Sequence, residues 1–221
     1  MEAYSYKKIK YIVKYPQNFQ KEGVYPIIIF LHGAGTRGND LDVLRTNSFF
    51  VETEKLDLKV IVYAPQCYAD TWYDIFEQLT EFAEYVRNCP TSDKSRIYLI
   101  GASMGGYAVW QMTMSHPEWF AAVIPICGGG MYWNASRLKN VKVWAFHGSS
   151  DTIVFCEESK RMVESIRQNG GEAKLTIYED VGHDSWTKVY RSQNVFNWLL
   201  EQRLSPDSPE RSEYNNAEQY G

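Results

Sequence analysis

From about residue 24 to residue 201, continuous apolar runs alternate with segments of helical spacing. Pro26-Ile27-Ile28-Ile29-Phe30-Leu31 is apolar throughout and ends in a glycine-rich loop, the pattern of a strand covered on both faces. Residues 60–64, closed by Pro65, read the same way, as do 97–100, 121–126, 141–146 and 174–178. Residues 6–15 predict a leading strand stopped by Pro16. Between the strands, 77–88 shows helical spacing through Leu79, Phe82, Ala83 and Val86, and 107–114 reads as an apolar, central helix. Residues 158–168 form an amphipathic pattern with Asn169-Gly170-Gly171 as its stop signal. Residues 186–200 predict a closing helix that buries Val189, Val195, Phe196, Leu199 and Leu200. Strands separated by helices predict an α/β fold: a mostly parallel sheet with helices on both faces. Residues 1–204 read as a single domain. Residues 205–221, SPDSPERSEYNNAEQYG, are polar with two prolines and are expected to be a flexible tail.

Composition narrows the class of partner. With 44% hydrophobic and 23% charged residues and a net charge of −4, the chain has the values of an ordinary globular protein. That balance gives no basic footprint for nucleic acid and no cationic cluster for an anionic membrane. No apolar run approaches the length of a membrane span. Residues 1–15 contain no apolar signal-peptide core, so a cytoplasmic location is expected. Cys67, Cys89, Cys127 and Cys156 are widely spaced, outside any metal-ligand pattern, and are expected to be reduced thiols without a metal or organic cofactor. Aromatics are abundant, with 16 Tyr and 7 Trp; most read as core or surface residues, and some are candidates for a pocket wall.

The most specific local signal is Gly101-Ala102-Ser103-Met104-Gly105-Gly106. This G-x-S-x-G follows a β-prone run and precedes a helical pattern, which is the context of a nucleophile elbow. The residues two before and two after the serine crowd its backbone and must be small; here both are glycine. Such a turn exposes the serine hydroxyl and aims the N–H groups of the next helix at it.

A serine hydroxyl needs a base, and the base needs an orienting carboxylate. In an open α/β sheet the partners lie beyond the carboxyl ends of later strands. Of the four histidines, His116 reads as a helix-end residue, and His32 and His147 end apolar strands. His183, on a loop between the last strand and the last helix, is the candidate base. Asp151, in the loop after residues 141–146, is the candidate carboxylate, with Asp184 and Asp180 as competitors. The order Ser103, Asp151, His183 is that of an α/β-hydrolase.

A tetrahedral intermediate needs two preorganised N–H donors. The backbone N–H of Met104 is the expected first donor. That of Ala34, in the loop Leu31-His32-Gly33-Ala34-Gly35, is the expected second, with Gly33 as the alternative.

Taken together, LHGAGTRGND, APQC, GASMGGYAVW, PICGGG, FHGSSDTIV and VGHDSW resemble the α/β-hydrolase superfamily. Within it they are most similar to small bacterial dienelactone-hydrolase-like and prolyl-oligopeptidase-like esterases. The resemblance covers about residues 20–201 and implies the triad and oxyanion roles just assigned. True dienelactone hydrolases use a cysteine nucleophile, whereas this chain has Ser103, which favours ordinary carboxylic esters. The expected partner is a small-molecule or saccharide ester, such as an acetyl or feruloyl ester; a thioesterase, phospholipase or short-peptide hydrolase would share the same machinery, and a non-catalytic binding module that keeps the fold is the reading from another class.

The segment 127–140 is too short for a large cap, so an open site is expected. Trp72, Tyr132, Trp133 and Trp186 are candidates for an aromatic wall, although for each alone packing is the simpler reading. Arg37 and Asn39, just past the oxyanion loop, read equally as holders of a polar substrate group or as residues that fix the loop.

Overall fold

A computed structural model describes residues 1–204. The expectation for 205–221 lies outside the described residues. Eight strands form one sheet: β1 (Glu2–Tyr6), β2 (Ile9–Lys14), β3 (Tyr25–Leu31), β4 (Ile61–Pro65), β5 (Ser92–Ala102), β6 (Ala122–Ile126), β7 (Lys142–Gly148) and β8 (Ala173–Tyr178). Their order across the sheet is β1-β2-β4-β3-β5-β6-β7-β8. The β1–β2 and β2–β4 pairs are antiparallel, and every pair from β4 to β8 is parallel.

Alternation along the strands explains their unbroken apolar runs. In β3, Ile27, Ile29 and Leu31 point into one core, while Ile28 and Phe30 point into the other. The first core is closed by α3 (Phe76–Arg87), α4 (Met104–Ser115) and α5 (Glu157–Gln168), through Leu79, Phe82, Val109, Trp110, Met162 and Ile166. The second is closed by α2 (Ser48–Thr53), α6 (Trp186–Tyr190) and α7 (Gln193–Glu201), through Phe49, Phe50, Tyr190 and Phe196. Phe30 stacks on Phe49 at 4.1 Å between ring centroids. Each such fully buried large side chain contributes on the order of 1.5–3 kcal/mol of hydrophobic stabilisation. The helix α1 (Leu41–Arg45) is short and capped by the Asp40 carboxylate, which accepts from the Asp42 N–H.

Two expectations are corrected. Residues 6–15 are not one strand: β1 and β2 form a hairpin, with Tyr6 opposite Ile9 and Lys7 at φ 51° in the turn. The closing helix is two helices, broken at Arg191-Ser192. There the Arg191 guanidinium grips the Glu52 carboxylate with both ends, at 2.7 and 2.8 Å. No helix among the described residues is long and apolar enough to cross a membrane.

Candidate active site

Ser103 sits between the end of β5 and the start of α4, with φ 54° and ψ −119°. This is a strained conformation for a residue with a side chain. Its backbone is pinned on both sides: the Ser103 N–H donates to the Ile126 carbonyl at 2.9 Å, and the Ser103 carbonyl accepts from the Tyr107 N–H at 3.1 Å. Close approach of the elbow to β3 explains the flanking glycines. A Cβ on Gly105 would lie 1.9 Å from the Leu31 carbonyl oxygen, so no other residue fits there.

The structure brings the three sequence-selected side chains into one hydrogen-bonded chain. Ser103 Oγ is 2.8 Å from His183 Nε2, and His183 Nδ1 is 2.7 Å from Asp151 Oδ2. A carboxylate only accepts, so Nδ1 carries the ring proton and Nε2 presents its lone pair to the serine hydroxyl. The Asp151 side chain is fully buried, and its Oδ1 accepts from the N–H groups of Ile153 and Val154, at 2.9 and 3.0 Å. Burial alone would raise the Asp151 carboxyl. The His183 N–H and the Val154 and Ile153 amides outweigh it and hold the group below the usual carboxylate range. Asp184 is otherwise engaged: its two oxygens accept from the N–H and hydroxyl of Thr187, at 3.1 and 3.0 Å. Asp180 lies in the turn at φ 57°, its backbone N–H donating to Ser149 Oγ.

The loops carrying Asp151 and His183 are tied to each other. The Ser150 N–H donates to the Val181 carbonyl at 2.9 Å, and the Ser149 N–H to the Tyr178 carbonyl at 2.9 Å.

The loop after β3 forms the other wall. Ala34 opens a single 3-10 turn, and Gly33 precedes it in extended conformation. A Cβ on Gly33 would be 3.5 Å from Ser103 Cβ, which places this loop directly beside the elbow. Ala34 N–H and Met104 N–H are both first-turn helix donors, the positions whose N–H groups lack an intrahelical acceptor. His32 holds the loop from beneath. Its Nδ1 donates to the Gly33 carbonyl at 2.7 Å, and its Nε2 accepts from the Cys67 N–H at 2.9 Å. Burial pushes its pKa down to about 4, so the ring is neutral in this role.

Of the pocket candidates, Trp72 and Arg37 take supporting roles, and Tyr132 and Trp133 lie away from the elbow. Trp72 is fully buried and donates its indole N–H to the His32 carbonyl at 3.0 Å, so it supports the loop from below. Arg37 donates to the Ala34 and Asp70 carbonyls, at 2.9 and 2.8 Å, and so fastens the same loop to the segment after β4; the Asn39 carbonyl likewise accepts from Lys10. Tyr132 and Trp133 are exposed, but they lie along the flank of α5. The Tyr132 carbonyl accepts from Ser165, and its ring faces Arg161, both beyond the first turn of that helix. Trp186 does reach the site, edge-on to the His183 ring at 5.3 Å.

The apolar groups exposed at this end of the sheet are others. Ile153 and Phe155, on the loop after Asp151, are 71% and 65% exposed. Tyr73 is also exposed, and its hydroxyl donates to the Tyr107 carbonyl in the first turn of α4. The sequence signal for the first two was available: apolar residues at 153 and 155 interrupt a loop that otherwise serves to hold an aspartate.

Among the described residues, one cluster offers three donors of metal-ligand type: Cys127, Asp151 and His183, with donor atoms within 4.8 Å of one another. Its chemistry fits a proton relay better than an ion. Both His183 nitrogens are engaged by Ser103 and Asp151. Burial pushes the Cys127 thiol up to about 12, whereas a metal takes the thiolate.

This sheet, elbow and loop arrangement defines an α/β-hydrolase. The family model described as "Dienelactone hydrolase family" matches residues 52–195, and the chain belongs to that family. A search of curated protein sequences returns no match. Among solved structures, one titled a thermostable esterase is 30% identical with a TM-score of 0.81; the match covers 91% of this chain and 63% of that one. The chain therefore spans a little under two thirds of that protein. A ferulic acid esterase is 17% identical with a TM-score of 0.69, over 87% of this chain and 92% of that one. The acylaminoacyl peptidase of Pyrococcus horikoshii is 13% identical with a TM-score of 0.63, over 86% of this chain and 38% of that one. The last two likenesses show the fold alone.

Proposed function

We propose that this protein is a serine hydrolase that cleaves carboxylic esters through an acyl-enzyme. The observation that carries the reading is the unbroken path from Ser103 Oγ to His183 Nε2, and from His183 Nδ1 to Asp151 Oδ2, on a strained elbow. His183 takes the hydroxyl proton as Ser103 Oγ bonds to the ester carbonyl carbon. The carbonyl oxygen becomes an oxyanion held by the N–H groups of Met104 and Ala34. His183 then passes its proton to the departing alkoxide, leaving acyl-Ser103. A water molecule, deprotonated by the same histidine, repeats the cycle and releases the acid. Asp151 stays ionised throughout and stabilises the imidazolium.

The substrate is a small acyl ester whose alcohol part stays outside, such as an acetyl or feruloyl ester of a saccharide. Two observations support this reading. The oxyanion loop residues Ala34 and Gly35 are exposed, so a bulky alcohol has room beside the serine. Ile153 and Phe155 offer exposed apolar surface on the His183 side, where the leaving group must lie to receive its proton.

The test is kcat/KM across acetyl, butyryl, octanoyl and palmitoyl esters, methyl ferulate, acetylated xylan and a peptide panel, with a fluorophosphonate probe alongside. Labelling confined to Ser103, abolished by Ser103→Ala, with the highest rates on short or feruloyl esters, is the expected result. Labelling that persists in the alanine variant would remove the nucleophile. A maximum at palmitoyl, or turnover of peptides alone, would replace the substrate class.

A further inference from the structure

Four residues before Asp151, at the end of β7, a second imidazole meets the same carboxylate. His147 is fully buried. Its Nε2 lies 2.8 Å from the Val154 carbonyl oxygen and 3.2 Å from Asp151 Oδ2. Both are acceptors, so this nitrogen must carry a proton. Its Nδ1 is 2.8 Å from Ser159 Oγ, which also stands 3.2 Å from the Gly128 carbonyl. The Ser159 hydroxyl, with one proton, is shared between the Gly128 carbonyl and an unprotonated Nδ1, the shorter contact. The ring is then a neutral Nε2–H tautomer, and burial, which pushes its pKa down, favours that form.

Asp151 therefore receives three hydrogen-bond donors: Oδ1 takes two backbone amides, and Oδ2 takes His183. The His147 Nε2–H, bonded to the Val154 carbonyl, stands 3.2 Å from the same Oδ2. His147 also closes the turn that supplies the amides, because the Val154 whose carbonyl it holds is the residue whose N–H reaches Oδ1. The groups facing the His183–Asp151 pair are Ser103, His147, the Cys127 thiol and the Trp186 ring, with Tyr107 and Glu158 near the elbow.

We propose that His147 is a positioning residue for hydrolysis: it closes the 151–154 turn through the Val154 carbonyl and, with its Nε2–H beside Asp151 Oδ2, tempers the negative charge that oxygen presents to His183. The proposal rests on the proposed Ser103–His183–Asp151 roles. Without the His147 donor, more negative charge remains on Oδ2 and the His183 imidazolium is stabilised further. The two amides on Oδ1 keep the carboxylate in place, so the 2.7 Å bond to His183 persists and the change appears as a higher His183 pKa.

The test compares His147→Met, which removes the donor; His147→Gln, which returns an N–H2 near the Nε2 position; and Ser159→Ala, which releases the ring from its other side. Two readouts are taken on the full chain: the acid limb of kcat/KM against pH, and the NMR titration of the His183 ring. For His147→Met, both midpoints are expected to rise by about half a pH unit or more. Its kcat should fall on the order of ten-fold with KM little changed, a small part of what a general base contributes. His147→Gln should return most of the rate and bring both midpoints back toward the wild type. Ser159→Ala should move the midpoints in the same direction by less, and it carries the test if His147→Met does not fold. A folded variant that loses rate while both midpoints stay in place would overturn the proposal, since that is what a purely packing role predicts. If the wild type hydrolyses no ester, the proposed function fails, while the NMR titration still decides the role of His147.

Discussion

A Cβ on Gly148 would lie 2.2 Å from the Val181 carbonyl oxygen and 2.3 Å from that of Gly182. The loop that carries His183 therefore crosses the end of β7 at backbone contact distance, and the histidine is aimed by that crossing. Gly148→Ala cannot be absorbed by a side chain, since both obstacles are main-chain atoms. The loop has to lift, at a cost of about 1–3 kcal/mol of stability, as for an overpacked site. Lifting lengthens the 2.8 Å contact between His183 Nε2 and Ser103 Oγ. The expected result is a fall in kcat of at least ten-fold, the order expected when a general base is displaced. Steady-state kinetics beside thermal unfolding checks both halves. A variant with wild-type kcat would show that the loop does not depend on this contact.

The choice between two neighbouring acids is equally sharp. Asp151→Asn keeps the shape but turns an amide N–H or a weaker acceptor toward His183 Nδ1, favouring the wrong ring tautomer. A loss in kcat of roughly 10⁴-fold is expected. Asp184→Asn changes a residue that only accepts from Thr187 at the start of α6. Asparagine substitutes well in that role, with a cost of a few tenths of a kcal/mol, about the spread among good caps. Its activity should remain close to wild type. Parallel kinetics of the two variants decides the matter, and a larger defect at 184 than at 151 would reverse the assignment.

How much of this was readable in the sequence follows from which interactions are local. The elbow is a local event: its glycines are demanded by backbone within a few residues of Ser103 and by the strand beside it, so the string Gly101–Gly106 announces it. Asp151 and His183 are distant in sequence, yet a parallel sheet brings every strand end to the same edge, so their order after successive strands picks out side chains that the fold brings together. What failed depended on tertiary contact. The hairpin at Lys7 carries no Asn-Gly signal, only a lysine at φ 51°. The break at Arg191-Ser192 coincides with a bond to Glu52, on a different helix. Trp72 and Arg37 were legible as residues near the site, but only the fold shows which main-chain carbonyls they bond.

That distinction is measurable at Trp72. Trp72→Phe removes the indole donor and leaves the buried His32 carbonyl without its bond, a loss of about 1–3 kcal/mol. His32 holds the Gly33 carbonyl, one residue from the Ala34 donor, so the oxyanion loop loosens. Losing one such donor outright costs about 10²–10³-fold in kcat, and a loosened one should cost less, on the order of ten-fold. Because the indole lies beneath the loop, KM should change little and equally for acetyl, butyryl and feruloyl esters. A KM that rises steeply with acyl size, at unchanged kcat, would instead make Trp72 a wall of the pocket.

The same buried histidine sets how the fold responds to acid. An unfolded histidine titrates near 6.5, whereas His32 in the fold resists protonation until about 4. Below pH 6.5 the unfolded chain therefore binds a proton that the folded chain refuses. Stability must then fall as pH drops from about 6.5 toward 4, by up to about 1.4 kcal/mol per pH unit for one such group. His147, whose pKa burial also lowers, adds a second contribution of the same sign. Urea unfolding at steps from pH 7.5 to 4 should show this steepening. His32→Asn keeps a donor for the Gly33 carbonyl but removes the titration and the acceptor for the Cys67 N–H. The variant should be less stable than wild type at pH 7.5, and its stability should decline with acid more gradually, by about one proton's worth of slope. Equal slopes in the two proteins would mean that His32 is already protonated in the fold, which the Cys67 N–H pointing at its Nε2 forbids.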